Sequence, residues 1–275
     1  MFGQAYKKVI IIMVVFNLSA CSVVGGMWYK RIDQFIANQF LESANFSTTQ
    51  KNYIRKATQE FKYWNIKNEL PEYKKLLLRF RLLDSETRVG EIDEIYEKGV
   101  VLGNRSRNFF VPYLAELCKT LTNKQIEEIE IYFDGLMEER RFKLGNETKN
   151  YQATLEKNFV RFFRLLGIKL NDEQKNTIRF LSSGLEDARY QLINDQIKWN
   201  QQFVAILDLR QKKIFEESLT DHINSLSSED KNTRTVINQI TAEILASLDE
   251  KQRSRFQKRL GVFVTSIDQI LAREN

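Results

Sequence analysis

The sequence is poor in the residues that break helices and in those that build metal or nucleophile sites. It has two prolines, eleven glycines, two cysteines and one histidine in 275 residues. Scarce proline and glycine, with abundant Glu, Lys, Gln, Leu and Ile, favour long helices. One histidine and two cysteines leave too few ligands for a His/Cys zinc site, and no phosphate-binding loop occurs. We therefore expect no metal and no cofactor, and we lean against an enzyme.

The first residues have the pattern of an export signal. Lys7 and Lys8 precede a short apolar run, and Leu18-Ser19-Ala20 leads directly into Cys21. A positive segment, an apolar segment and small residues before a cleavage point are typical of secretory signals. The small residues before a cysteine resemble the lipobox of bacterial lipoproteins. That resemblance implies that Cys21 is lipidated and becomes the mature N-terminus.

The lipobox resemblance also implies a domain division and a location. Residues 1–20 would be the lipoprotein signal peptide, and residues 21–275 the mature envelope domain. Ser22 stands where enteric-type inner-membrane lipoproteins carry Asp, which implies an outer-membrane anchor facing the periplasm. An uncleaved anchor is the alternative, because the charge-free stretch after Lys8 reaches the ~20 residues of a membrane-spanning helix. In both cases the body is exported, so we expect no nucleic-acid partner despite the net charge of +6.

A short motif recurs four times along the chain. An apolar residue precedes Ser, Thr, Asn or Asp, and Gln follows three positions later. In a capping box, the first side chain accepts a hydrogen bond from a first-turn amide, and the Gln reaches back to the cap amide. The motif therefore predicts helix N-caps at Ser47, Thr122, Asn171 and Asp249, with capping-box glutamines Gln50, Gln125, Gln174 and Gln252.

Apolar residues at helical spacing follow these motifs. One predicted face joins Leu155, Phe159, Phe163 and Leu166 and is closed by Gly167, and another is Ile178, Leu181, Leu185, Ala188 and Leu192. No strand alternation is evident. The sequence predicts an all-α array or bundle of antiparallel amphipathic helices, with two packed halves divided near 145–150 as one arrangement.

Two resemblances to known families follow from these motifs. The L-[ST]-x-x-Q form looks like that of the Spy and CpxP periplasmic proteins, which are small and all-helical; Spy is an ATP-independent chaperone. Residues 64–73, WNIKNELPEY, resemble the W-H-R-x-x-E-L-P-x-Y signature of an uncharacterised family of proteobacterial lipoproteins. Asn65 and Ile66 stand where His and Arg are usual, so no catalytic role is carried over to them.

The WNIKNELPEY segment also supplies the candidate binding residues Trp64, Glu69, Pro71 and Tyr73. Their structural alternative is a helix start, because proline and acidic residues both suit a first turn. The leading functional hypothesis is a non-enzymatic, chaperone-like or envelope-assembly lipoprotein that binds unfolded or envelope proteins. The rivals are a carboxylate-based envelope enzyme and a purely structural lipoprotein. Cys118 lies on an apolar stripe and is expected to be a buried thiol, and His222 is expected to be structural.

Overall fold

The structure, a computed structural model, describes residues 29–146, 150–225 and 231–274. Over these ranges it contains eleven helices and no strand, which confirms the predicted all-α fold. The signal peptide and the lipidation residue Cys21 lie outside the described residues. In chain order the helices are α1 (Ile32–Leu41), α2 (Thr48–Asn68), α3 (Leu70–Arg81), α4 (Val89–Lys119), α5 (Asn123–Asn146), α6 (Tyr151–Leu165), α7 (Asp172–Ser182), α8 (Arg189–Leu207), α9 (Phe215–Asn224), α10 (Lys231–Ala246) and α11 (Glu250–Glu274).

The helices enclose two hydrophobic cores, which we name core A and core B. Core A is centred on α3, α6, α7, α10 and α11, and its most deeply buried side chains include Phe163, Ile178, Ile244, Phe256 and Leu260. Core B is centred on α2, α4, α5, α8 and α9, and it includes Phe46, Ile54, Leu121, Phe203 and Leu207. Each core draws residues from both sides of positions 145–150. A division into two halves at those positions stays a prediction.

Helix α4 joins the two cores. Near its start Ile92 is buried in core A, and near its end Leu117 and Cys118 are buried in core B. The helix contacts α10 on the core A side and α9 on the core B side. Pro112 lies inside it and is exposed, and it has no N–H to bond back to the preceding turn. The α4 residues after position 106 therefore provide a wall for core B.

Four helices begin directly after the four predicted cap residues. At Ser47 and Asn171 the cap oxygen accepts from the amide of the following Gln at 3.2 and 2.8 Å, and the Gln oxygen accepts from the cap amide at 2.8 and 3.0 Å. The same reciprocal pair occurs at Thr122 and Asp249. Each motif thus satisfies two first-turn amides that the helix itself leaves unpaired.

The capping glutamines also meet in pairs, which joins helices far apart in sequence. Gln50 Nε2 donates to Gln125 Oε1 at 3.1 Å, and Gln125 Nε2 donates back to Gln50 Oε1 at 2.7 Å. The remaining amide protons go to the carbonyls of Thr120 and Asn45, both at 3.1 Å. All polar groups of both buried side chains are therefore bonded. We name this contact between the starts of α2 and α5 junction B.

The second pair repeats this arrangement at the starts of α7 and α11, which we name junction A. Gln174 and Gln252 exchange hydrogen bonds of 3.1 and 2.9 Å, and they also donate to the carbonyls of Ser247 and Lys169. The paired glutamines are 75 residues apart in junction B and 78 in junction A. Four sequence motifs thus form two equivalent junctions in space.

One predicted helical face is wrong. The stripe from Ile178 to Leu192 is interrupted, because α7 ends at Ser182 and α8 begins at Arg189. Leu185 is buried, but Ala188 is exposed and precedes the new helix. Two serines and Gly184 are weak helix formers, and the Asp187 carboxylate accepts the Arg189 amide at 3.1 Å. Local polar bonding therefore starts a new helix within the apolar pattern.

The end of α6 agrees with its predicted closure by Gly167. This residue has a φ of 84°, in the left-handed region that glycine adopts most easily. The Ile168 amide bonds to the Phe163 carbonyl at 2.8 Å, and the Gly167 amide bonds to the Arg164 carbonyl at 3.0 Å. These two bonds form a Schellman motif, which turns the chain into core A.

Candidate functional site: an apolar cavity in core B

A cavity of about 360 Å³ lies in core B, beneath junction B. Its size falls within the range of about 300–1,000 Å³ that is typical of small-molecule sites. Phe46 and Leu121, the apolar residues that precede the two caps of junction B, line it. The other walls come from α1, α4, α5 and α8, with Ile223 of α9. They include Phe40, Val111, Leu114, Ile129, Phe133, Trp199 and Phe203.

The aromatic wall of the cavity is fixed by contacts behind it. Trp199 stacks on Phe203 with ring centroids 5.6 Å apart, and on His222 at 4.4 Å. The indole N–H donates to the His222 carbonyl at 3.2 Å, and His222 Nε2 lies 3.0 Å from the Trp199 carbonyl. Burial lowers the pKa of His222, which favours the neutral ring. The single histidine therefore holds the tryptophan in place.

One charged side chain, Arg107, lines this otherwise apolar cavity. It lies on the same face of α4 as Val111, Leu114 and Cys118, at helical spacing. Its Nη2 donates to Asn104 Oδ1 at 3.0 Å, but its buried Nε has no acceptor among the described residues. Burial lowers the pKa of Arg107, although a guanidinium remains charged. A buried donor without a partner is costly, which marks Arg107 as a contact point for an anionic ligand group.

Cys118 lines the same cavity but offers no nucleophile. The thiol is free and the residue is 2% exposed. Burial raises its pKa to about 12, so the thiol stays protonated at neutral pH. No carboxylate and no histidine is among the described residues that line the cavity. The cavity is therefore equipped to bind an apolar group, and its lining lacks the groups for acid–base chemistry.

The residues of the WNIKNELPEY segment lie in the wall between α2, α3 and α4. Pro71 is in the first turn of α3. Glu69 is fully buried, and Arg105 Nη2 lies 2.9 Å from its Oε1. Burial raises the pKa of Glu69, and Arg105 opposes that rise.

The two aromatic residues of the segment have different surroundings. Burial raises the pKa of Tyr73 to about 12, with Glu69 and Ser106 close enough to affect it. Trp64 instead contacts the rings of Phe61 and Phe109, with centroids 5.9 and 5.0 Å away. The structure thus brings Glu69 and Tyr73 together and places Trp64 in an aromatic cluster. A binding role for these residues stays a prediction.

Residues 44–232 match the profile of a Family of unknown function (DUF6279). The chain belongs to this family. No curated protein and no solved structure matches it. The matched range contains junction B, the WNIKNELPEY segment and the cavity lining from Phe46 to Ile223. It ends at the start of α10, so it leaves out α11 and one side of junction A.

Two other kinds of site are absent from the part of this DUF6279 chain that the structure describes. No group of three or more His, Cys, Asp or Glu side chains there could hold a metal ion. None of the helices described is long and apolar enough to span a bilayer.

The residues of the cavity were not predicted from the sequence of this family member. Arg107 carried a usable signal, because it is a charge on the apolar face of α4 that continues through Val111, Leu114 and Cys118. A charge on such a face is either a helix-end residue or a partner for something else. Trp199 and Phe203 carried no such signal, since aromatic residues at helical spacing are most often ordinary core.

Proposed function

We propose that this protein is a non-enzymatic binding lipoprotein of the cell envelope, which takes an apolar group of its ligand into the core B cavity. The cavity itself carries this proposal. At ~24 cal/mol per Å³, the packing that a 360 Å³ cavity forgoes is on the order of 8 kcal/mol. Natural domains are stable by about 5–15 kcal/mol in total. Such a cost favours a cavity that is kept because a ligand fills it.

The composition of the cavity lining supports binding over catalysis. An envelope enzyme based on carboxylates would need two such groups facing one space. The described lining residues supply none, and the buried carboxylate of Glu69 is paired with Arg105. The protonated Cys118 thiol adds no nucleophile. Binding without turnover is the activity that these groups can support.

The location rests on the lipobox pattern at Cys21. About eleven residues separate Cys21 from the start of α1, which reach roughly 40 Å at most at ~3.3–3.6 Å per residue. Phe40 and Ser43, at the end of α1, line the cavity. An outer-membrane lipid on Cys21 would thus keep the cavity close to the membrane surface. Cys21→Ala should abolish metabolic fatty-acid labelling and release from the membrane fraction should follow; label that persists would contradict this.

A chaperone-like form of the proposal has unfolded or envelope proteins as ligands. Its support is the resemblance of the four capping motifs to those of the Spy group, together with exposed apolar side chains. Leu82, Phe142 and Phe180 are 77%, 73% and 79% exposed. Suppression of aggregation of an unfolding client by stoichiometric protein would support this form. No suppression, with no partner crosslinked in cells, would remove it.

Binding to the cavity can be tested with the water-soluble chain of residues 22–275. This chain contains every residue of both cores, so it is expected to fold without the lipid, and circular dichroism with a cooperative melt would check this. The probe is N-phenyl-1-naphthylamine, which fluoresces in apolar sites. We expect saturable binding that weakens at least tenfold in Val111→Trp, which fills the cavity.

The matched control is the same substitution at Val101, which is 54% exposed on the same helix. Val101→Trp should bind the probe as the unchanged chain does. Equal binding by both variants would show that the probe binds elsewhere. The absence of saturable binding to the unchanged chain would contradict the proposed function.

A further inference from the structure

We infer that the ligand of the core B cavity is a single acyl chain ending in a carboxylate, with its chain among the apolar walls and its carboxylate on Arg107. This inference rests on the proposed function and names the ligand class for the same site. It follows from three properties of the described residues: the dimensions of the cavity, the unpaired donor of Arg107, and the scarcity of other polar groups in the lining.

The dimensions of the cavity suit one acyl chain. Along α4, the lining extends from Arg107 to Cys118, which is about 16 Å at 1.5 Å per residue. One leaflet of a bilayer holds its acyl chains in about 15 Å, half of the ~30 Å hydrocarbon thickness. The volume of 360 Å³ equals that of roughly twelve water-sized groups at ~30 Å³ each. A medium-length chain therefore fits by both measures.

The charge of the cavity suits a carboxylate. Arg107 Nε is buried and has no acceptor, and its neighbouring Nη2 is held by Asn104. The planar guanidinium presents its N–H groups as a fork that matches the two oxygens of a carboxylate. No acidic side chain among the described lining residues competes for it. A ligand carboxylate would therefore satisfy the donor that the protein leaves unpaired.

A polypeptide segment fits the interior less well. Each of its residues would bring a backbone donor and acceptor that need partners when they leave water. Besides Arg107 and the weakly polar Cys118, the described lining offers Gln39, Ser43 and the hydroxyl of Tyr132 as polar groups. An acyl chain has no such groups along its length. The acyl chains on the protein's own Cys21 would be in ester or amide linkage, without the carboxylate that Arg107 requires.

The test measures the preference for a charged head at constant chain length. The chain of residues 22–275 is titrated with cis-parinaric acid, a fluorescent fatty acid, and the probe is displaced with dodecanoate or dodecanol. Dodecanol is the more hydrophobic, so without Arg107 it should bind at least as well. We expect dodecanoate to displace the probe at a concentration at least tenfold lower than dodecanol does.

Substitution of Arg107 separates the head from the chain. Arg107→Met should reduce the dodecanoate preference to about one and leave displacement by dodecanol unchanged. Arg107→Lys should retain part of the preference, because it keeps a charge without the fork. Arg55→Met, at an exposed position of α2, is the matched control and should change neither ligand. If Arg107→Met does not fold, the ratio measured on the unchanged chain and on Arg107→Lys still decides.

The outcomes distinguish this inference from the function on which it rests. Saturable N-phenyl-1-naphthylamine binding with no dodecanoate preference would overturn the carboxylate inference and leave the proposed function standing. A preference that survives Arg107→Met would also overturn it. No binding of any apolar probe would remove both. Suppression of client aggregation without fatty-acid binding would replace the acyl chain by a polypeptide.

Discussion

Junctions A and B have the same polar architecture, but the cores beneath them differ. In junction A, the apolar residues that precede the caps, Leu170 and Leu248, are buried in core A with the fully buried Ile178 and Phe256. In junction B, the equivalent Phe46 and Leu121 line a cavity of about 360 Å³. The cavity is therefore not a consequence of joining two capped helices. It depends on the side chains that core B places below the junction.

The arginines beside the two cores show a second difference. At core A, Arg259 Nε donates to the Leu165 carbonyl at 3.1 Å, and Arg253 donates to the carbonyls of Leu83 and Leu245. At core B, the Nε of Arg107 is buried without an acceptor among the described residues. Core A thus pairs these guanidinium groups internally. Core B leaves a donor facing the cavity, as expected of a binding site.

Removing one ring from each core should give the largest difference between them. We expect Phe256→Ala in core A to cost about 4 kcal/mol, because it opens a cavity among fully buried neighbours. Phe203→Ala in core B should cost about half as much, since part of that ring already faces the cavity. Urea unfolding gives both values. Equal losses would show that core B is packed as tightly as core A.

Glycine substitutions should have opposite signs in helices of the two cores. Gly167→Ala should destabilise by about 2 kcal/mol, because φ is positive and the new Cβ would lie 3.0 Å from the Arg255 carbonyl oxygen. Gly135→Ala in α5 should stabilise by roughly 0.5–1 kcal/mol, since its Cβ would meet nothing within 4 Å. Thermal melts of the two variants check the signs. A neutral Gly167→Ala would argue against the turn geometry.

Loss of one cap should cost the same at both junctions. Thr122→Ala at junction B and Asp249→Ala at junction A should each reduce the free energy of unfolding by about 1 kcal/mol. Each change removes the oxygen that accepts from the following Gln amide. Serine at either position retains an oxygen and serves as the control. A cost at one junction alone would mean that the two are not energetically equivalent.

The smallest expected effect is a pH dependence that comes from core B. Burial lowers the pKa of His222 below its ordinary value of 6.5. As pH falls below 6.5, the unfolded chain binds a proton before the folded chain does, so this contribution to stability is lost. Above 6.5 it is fully present. Urea midpoints at pH 7.5 and 5.5 should differ less for His222→Gln than for the unchanged chain; equal differences would assign the dependence to other groups.

Several features of this protein were determined by short stretches of its sequence. The starts of α2, α5, α7 and α11 follow from a cap residue and a Gln three positions later, since those groups bond within one turn. The end of α6 follows from Gly167 and the apolar stripe before it. The all-α fold follows from scarce breakers and helical spacing. The failed stripe after Ser182 shows the limit, because apolar spacing can continue across a break made by local polar bonds.

Only the tertiary structure decided which of these elements meet. Capping predicts that Gln50 and Gln125 begin helices, but not that their amides bond to each other across 75 residues of chain. Helical spacing assigns Val111 and Leu114 to an apolar face, but not whether that face meets a side chain or a cavity. Arg107 is one charge among many in the sequence. Its unpaired Nε arises from the packing of α4 against its neighbours, because burial and hydrogen-bond satisfaction depend on residues brought together only by folding.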